Sequence, residues 1–400
     1  LGRRTFDARV GFWSVVVASV TPLYVLGGLL MTIDPVSVFF WAAAALLFWV
    51  ALDSRGALPW VGTGLLIGAG MLAKYTNLAQ ILCFVLFCLC SRRDRPLLAS
   101  GRFWGMVVVS LLCLAPVVAW NRAHDWITVQ HLLERGSLDA AWRFSGHELV
   151  QFVGEQFAVY FPLFVLGLLA ALFGRGVRRD RARPYRFLAT QFAPLVVFYV
   201  VLSLNDAGQA NWTAPAFVSG VVLLVAYWCR LGDRYPLWRW AARVSVAAAV
   251  VVTLGIYGSL FVRLPVDPDP LRRVREGASL AAEVTAARER AGADFVIAGH
   301  YGTASLLRFY SRDAFGIYVN HTDRVRNQFA FWPSYGKRRV GQDALLVDKR
   351  GRVPAYVQAE FEDVLPLGTI QSSHKGVPER TYYLHLCRNF RGSSGGASAR

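Results

Sequence analysis

Two side chains in the apolar first part of the chain have the chemistry to handle a phosphate and a hydroxyl. Asp34, in MTIDPVSVF, closes one apolar run and opens the next. A carboxylate at the mouth of a helical bundle can orient a hydroxyl or take its proton, and ionisable groups at such a place are functional suspects. Its plainer role is a helix N-cap, with Pro35 at the first helical position. Lys74, in GAGMLAKYTN, is one of four lysines among 43 basic residues and the only one before Lys337. Snorkelling would account for a lysine at a helix end. In a chain that uses arginine almost everywhere, a compact, strongly hydrated ammonium also suits a lipid phosphate.

Other polar groups stand near these two in the apolar pattern. WNRAHDW supplies Arg122 and His124, and LNDAGQANWTAP supplies Asn211 and Trp212, all expected to line a cavity at the same face as Asp34. His124, His131, Glu134 and His147 have no spacing typical of a metal site, so no metal is expected. Five of the six cysteines lie in or beside apolar runs and Cys387 stands alone, a pattern of packing with no disulfide framework. GTGLLIGAG matches neither a P-loop nor a dinucleotide fingerprint, and its small residues suit close helix approach.

The elements that carry these residues follow from composition. Hydrophobic residues make up 55% and charged residues 17% of the 400, against about 45–50% and about 25% in soluble chains. Apolar runs of spanning length recur at 10–31, 35–52, 58–73, 76–91, 103–120, 156–173, 187–204, 212–229 and 244–262, then stop. These predict nine spanning helices. With a cytosolic N-terminus, 18 basic residues fall in the inner loops and four (Lys74, Arg122, Arg135 and Arg143) in the outer ones. The positive-inside rule therefore places Asp34, Lys74, the loop 121–155, the loop 205–211 and the whole tail outside the cytosol. The net charge of +17 is spent largely on this signal, which argues against a nucleic-acid partner. The outer loop holds two amphipathic stretches, around Trp126–Leu133 and Leu149–Val153, expected to lie in the interface.

Beyond Arg263 a charged helical stretch leads into DFVIAG, ASLLRFY, FGIYV, ALLVD and TYYLHL, which predicts a small α/β domain over 263–390. Residues 391–400, RGSSGGASAR, read as a disordered tail. The expected architecture is a mainly α, polytopic transmembrane bundle over 1–262 with a small C-terminal extracytoplasmic α/β domain.

TPLYVLGGLLMTIDPVSVFFW, GAGMLAKYTN, PVVAWNRAHDW and NDAGQANWTAP, taken in order, resemble the bacterial branch of the dolichyl-phosphate-mannose protein mannosyltransferase family. These are GT-C type glycosyltransferases, glycosyltransferase family 39 in the broad sense, with the lipid A aminoarabinose transferase as a relative. HYGTASLLRFY with RNQFAFWP resembles the extracytoplasmic domain of that group. The resemblance implies transfer of a sugar from a polyprenyl-phosphate carrier to an extracytoplasmic lipid, glycan or protein, in a bacterial inner membrane and with no cofactor. It puts the aspartate of the family's Asp-Pro element on Asp34 and the lysine of the matching helix junction on Lys74. It also implies that two helices and a loop with an Asp-Glu pair, the family's principal base, precede LGRRTFDARVGFW. The chain is therefore expected to lack its N-terminal part, and its non-Met start agrees. Competing readings are a non-catalytic assembly subunit and a lipid-linked sugar flippase. The latter predicts charges at the bilayer midplane and repeated halves, which the sequence does not display.

Overall fold

The structure, a computed structural model, describes residues 1–30, 32–135, 141–173, 182–206, 208–262, 271–311, 316–319, 327–336 and 338–392. Several expectations fall outside them: the arginines at 175, 178, 179 and 181, the start of the tail at 263–270, and most of the terminal segment. The chain forms two compact units, Leu1–Gly258 and Ser259–Arg400.

The first unit is a helical bundle. Its principal helices are α1 (Ala8–Ser19), α2 (Pro22–Leu29), α3 (Asp34–Ala51), α4 (Leu58–Ala73), α5 (Ala79–Cys90), α6 (Gly101–Leu112), α7 (Ala115–Ala123), α8 (Ile127–Arg135), α9 (Gly146–Tyr160), α10 (Pro162–Phe173), α11 (Ala182–Leu202), α12 (Ala214–Arg234) and α13 (Pro236–Gly258). Among the described residues, five helices are long and apolar enough to cross a membrane, with two bent pairs and two shorter apolar helices beside them. These segments occupy the nine places that hydropathy marks. Two predicted spans are not straight rods, and the difference has local causes. The first, 10–31, breaks by 64° between α1 and α2, where Pro22 at the first position of α2 cannot continue the α1 ladder. The span 156–173 is instead the end of a longer α9 joined to α10 at 105°. Phe161, at φ 73°, makes that corner in a region where bulky side chains rarely sit.

The bundle core is aromatic. Phe48 of α3 stacks on Phe84 of α5 at 3.8 Å and meets Phe187 of α11 at 6.2 Å. Small residues bring α4 against α6: a Cβ on Gly64 would lie 2.6 Å from the Met106 carbonyl oxygen, and one on Gly68 would collide with Cys113 Sγ. The small-residue run 62–70 thus works as a packing surface.

The second unit carries a five-stranded sheet of order β2-β1-β3-β5-β4, made of β1 (Phe295–Ala298), β2 (Ile317–Val319), β3 (Ala344–Asp348), β4 (Phe361–His374) and β5 (Val377–Phe390). β1 is parallel to β2 and β3, while β5 is antiparallel to β3 and β4. Helices α14 (Gly277–Ala291) and α15 (Tyr301–Tyr310) supply Leu280, Val284 and Leu307 to the core on one face. DFVIAG, ALLVD and TYYLHL become strands and ASLLRFY a helix, as their patterns predict. β4 has no apolar run because most of its side chains are exposed. The β4–β5 hairpin turns at Lys375 and Gly376, both at positive φ, as a tight primed turn requires.

Candidate active site

Asp34 begins α3, but its side chain does not cap the helix. The residue preceding the helix is Ile33, and no side-chain capping bond forms there. The N-cap expectation is therefore corrected: the carboxylate is committed elsewhere. Asp34 Oδ1 lies 2.6 Å from Lys74 Nζ, and Asp34 Oδ2 accepts from Asn211 Nδ2 at 2.6 Å. Thr32 Oγ1 stands 3.5 Å from the same Oδ2. The two ion-pair side chains are 15% and 12% exposed, desolvated yet still reachable. A negative group in the first turn of α3 also gains from the positive end of the helix dipole.

Each partner of Asp34 is carried by a short 3-10 turn, and each turn is clamped. α4 ends at Ala73, Lys74 is extended, and the turn Tyr75–Leu78 follows. Asn77, fully buried, ties that turn to α3: Ser37 Oγ donates to Asn77 Oδ1 at 2.6 Å, and Asn77 Nδ2 donates to the Ser37 carbonyl at 3.1 Å. Gly70 is needed beneath it, since any Cβ there would strike Asn77 Nδ2. The second turn, Ala210–Thr213, precedes α12. Gln156 of α9 accepts from Thr213 Oγ1 at 2.7 Å and donates to the Ala210 carbonyl at 3.3 Å. Tyr160 is hydrogen-bonded to Thr213 Oγ1 at 2.9 Å, and Tyr24 of α2 donates to the Ala214 carbonyl at 2.9 Å. Two helices, α9 and α2, thereby fix where Asn211 points. Trp212 leans on Tyr199 of α11 with ring centroids 5.4 Å apart, and its Nε1 donates to Gln209 Oε1 at 3.3 Å. Its ring packs over Gly208, at φ 63°, where a Cβ would come within 2.7 Å of the ring.

Asp34, Lys74, Asn211 and Trp212 thus converge at one end of the bundle. Arg122 and His124 are placed differently. Arg122 is exposed in the last turn of α7, and His124 stacks on Trp120 at 4.1 Å with Nδ1 2.8 Å from the Trp120 carbonyl. Asn121 is the organising residue there: buried, it donates to the Val117 carbonyl and accepts from Thr128 N. Among the described residues no three His, Cys, Asp or Glu side chains group as metal ligands. Sequence reading missed Ser37, Asn77, Gln156, Tyr160 and Tyr24. Ser37 and Asn77 stood inside the segments quoted for Asp34 and Lys74, and Tyr24 inside the first family-like motif, but nothing in the sequence marked Gln156 or Tyr160.

Among the described residues, the other ion pairs of the first unit gather at one end of the bundle. Arg183 holds Asp94 and Asp53, Arg93 also reaches Asp53, Arg102 donates to the Arg55 carbonyl, and Arg9 pairs with Asp233. All these lie in or beside helix ends whose flanking segments the arginine count assigns inside. The backbone of Arg143 bonds Asn205, and Ser145 N donates to the Leu204 carbonyl, joining two loops assigned to the other face. Along α3, Asp34 and Ala51 lie 17 residues apart, about 26 Å at 1.5 Å per residue and close to the thickness of a bilayer core.

The model of the dolichyl-phosphate-mannose-protein mannosyltransferase family matches residues 1–120. The chain is 25% identical over 326 residues to the lipid A galacturonosyltransferase RgtD of Rhizobium johnstonii, covering 78% of this chain and 65% of RgtD. It thus spans just under two thirds of that relative's length. In fold it is similar to the crystal structure of ArnT from Cupriavidus metallidurans bound to undecaprenyl phosphate, with TM-score 0.59 and 15% identity over 96% of this chain and 80% of that one. Over residues 1–120 in sequence, and in fold over nearly its whole length, the chain is similar to members of this group.

Proposed function

We propose that the protein takes part in moving a sugar from a polyprenyl-phosphate carrier to an extracytoplasmic acceptor, with Asp34 and Lys74 handling the carrier's phosphate. In such a transfer the bond from the anomeric carbon to the phosphate oxygen breaks, the phosphate leaves with the electron pair, and a bond to the acceptor oxygen forms. The acceptor's proton passes to a base. The observation that carries the reading is the desolvated Lys74–Asp34–Asn211 cluster at 2.6 Å on both sides of the carboxylate. An ammonium has three N–H donors, and Asp34 occupies one. The remaining two are free in direction to meet a phosphate oxygen, and charge that develops on the leaving phosphate is stabilised by a cation already oriented. Asp34 holds that cation in place and offers Oδ2 to a sugar or acceptor hydroxyl that displaces the Asn211 amide. Trp212 and Tyr199 give the sugar an apolar wall, while Arg122 and His124 lie further along the outer loops.

Relatives support this reading: one is named a lipid A galacturonosyltransferase and one was crystallised with undecaprenyl phosphate. The arginine split supports placing this end of the bundle, and the C-terminal unit, outside the cytosol of a bacterial inner membrane. No cofactor is called for, because a phosphate ester is its own leaving group. The test is transfer from a labelled polyprenyl-phosphate sugar by purified protein and its Lys74→Met variant, with melting temperature as the folding control. Loss of transfer at an unchanged melting temperature supports the assignment, and equal turnover removes Lys74 from the chemistry.

A further inference from the structure

At the arginine-rich end a cavity of about 420 Å³ opens between α1, α12 and α13. That volume is within the range of small-molecule sites, roughly 300 to 1,000 Å³. It lies at the opposite end of α12 from the Asn211 turn, since Asp233 on its rim is 19 residues beyond Ala214, about 29 Å along the helix. Its rim is basic and its walls are apolar. Three guanidinium groups, Arg9, Arg239 and Arg243, face one carboxylate, Asp233. Arg9 pairs with that carboxylate at 2.7 Å and also feels Asp7, while Arg239 and Arg243 have no carboxylate partner among the described residues. Arg239 is held in place by Nε and Nη2, which donate to the Gly232 carbonyl at 3.1 and 2.7 Å. Five N–H donors belong to a guanidinium, so three remain to Arg239. Below the rim, Trp13 and Cys229 begin an apolar wall that runs toward the middle of the bundle.

The depth of the cavity follows from its neighbours. Leu237, Trp238 and Trp240, beside Arg239 on the first turns of α13, are all exposed, and Arg243 sits over the Trp240 ring at 5.6 Å. Exposed tryptophans among arginines mark the headgroup level of a bilayer. A basic rim at headgroup depth above an apolar wall matches one kind of molecule: an amphiphile with a phosphate at one end and a hydrocarbon chain at the other. Planar guanidinium forks grip phosphate oxygens in pairs, which an ammonium does not do.

We infer that this cavity binds an anionic phospholipid, with its phosphodiester between Arg239 and Arg243 and an acyl chain along Trp13. The site is independent of the sugar-transfer reading and would stand if that reading fell. Cys229 in its wall provides a reporter. Full-length protein is reconstituted in phosphatidylcholine nanodiscs with or without phosphatidylglycerol, and Cys229 alkylation is followed by peptide mass spectrometry. Phosphatidylglycerol is expected to slow alkylation about fivefold, in keeping with attraction of anionic lipid to clustered arginines. The Arg239→Gln/Arg243→Gln variant should lose that protection, and native mass spectra should show phosphatidylglycerol retained by the parent alone. Trp13→Ala, which leaves the rim intact, should weaken protection without abolishing it, and serves if the double variant fails to fold. Equal alkylation in both lipids overturns the inference. So does protection by inorganic phosphate alone, which would mean a free-anion site, or protection that grows with protein concentration without phosphatidylglycerol, which would mean a second copy of the chain fills the groove.

Discussion

Asp94 and Asp34 are carboxylates each held by a cation within 2.7 Å, at opposite ends of one helical bundle. Their surroundings differ in kind. Asp94 is closed: Arg183 forks it with Nε at 3.0 Å and Nη2 at 2.7 Å, Ser91 Oγ donates to it, and its side chain is 3% exposed. The same Arg183 reaches Asp53 beyond α3 and lies over Trp49, so one guanidinium fastens α3, α5 and α11 together. Asp34 is open by comparison. Its cation is a lysine with directions to spare, its second oxygen is held by a neutral amide, and five times more of its side chain meets solvent. A planar, multiply bonded arginine pair locks helices. A lysine–carboxylate–amide array, mounted on two clamped turns, keeps groups ready to exchange partners with a substrate.

Substitution should split the two ends cleanly. Asp34→Asn is expected to lower sugar transfer by about 10²- to 10⁴-fold, the range for a positioned acid–base group, with little change in melting temperature. Asp94→Ala should do the reverse. Removing one partner of a buried pair costs roughly 3–5 kcal/mol, seen as a large drop in thermal stability in detergent, while transfer per folded molecule persists. If Asp94→Ala also abolished transfer by the molecules that remain folded, the contrast between an open and a closed end would break. Gly70→Ala sharpens it further: a Cβ must displace Asn77 and with it the Lys74 turn. A displacement of about 1 Å at a reacting group costs up to about a hundredfold in rate, so transfer should fall by ten- to a hundredfold while the Asp94 end keeps its protection in hydrogen exchange.

Smaller effects should appear away from both ends. His300 is shifted below the usual histidine range by burial and by Lys349 and Arg350, against an opposing pull from Asp348. His385 is shifted the same way by burial, again against Asp348. Because their folded values are depressed, the unfolded state takes up protons first. Stability of the C-terminal unit is therefore full above about pH 6.5 and declines as pH falls through the lowered folded values. Hydrogen exchange of peptides from 295–390 in the full chain, followed from neutral to acid pH, checks the sign. His385→Gln should flatten the decline. His124→Ala, whose ring is tied to Trp120, should change transfer by less than about threefold.

Part of the candidate site was legible beforehand, for a simple reason. In a bilayer an ionisable side chain is costly, so the few that interrupt apolar runs stand out, and Asp34 and Lys74 stood out in this way. Arginine asymmetry likewise ordered the loops by face, and the ion pairs fall within the faces so assigned. The helix corners were less legible. Thr21-Pro22 carries a visible breaker, whereas Phe161 gives no sign that it turns the chain by 105°. The edge strand β4 was missed because one-sided exposure removes the apolar run that marks a buried strand.

Residue type and order thus determined where the apolar segments lie, the α/β character of the tail and that Asp34 and Lys74 stand out among them. These depend on transfer of side chains between water and hydrocarbon, a property each segment carries alone. Tertiary structure decided that Asp34 gives its oxygens to Lys74 and Asn211 and leaves its own helix uncapped, and that buried Asn77, Gln156 and Tyr160 set the two turns. Those outcomes depend on contacts between residues 40 to 177 positions apart, and such pairings exist only once the helices have packed.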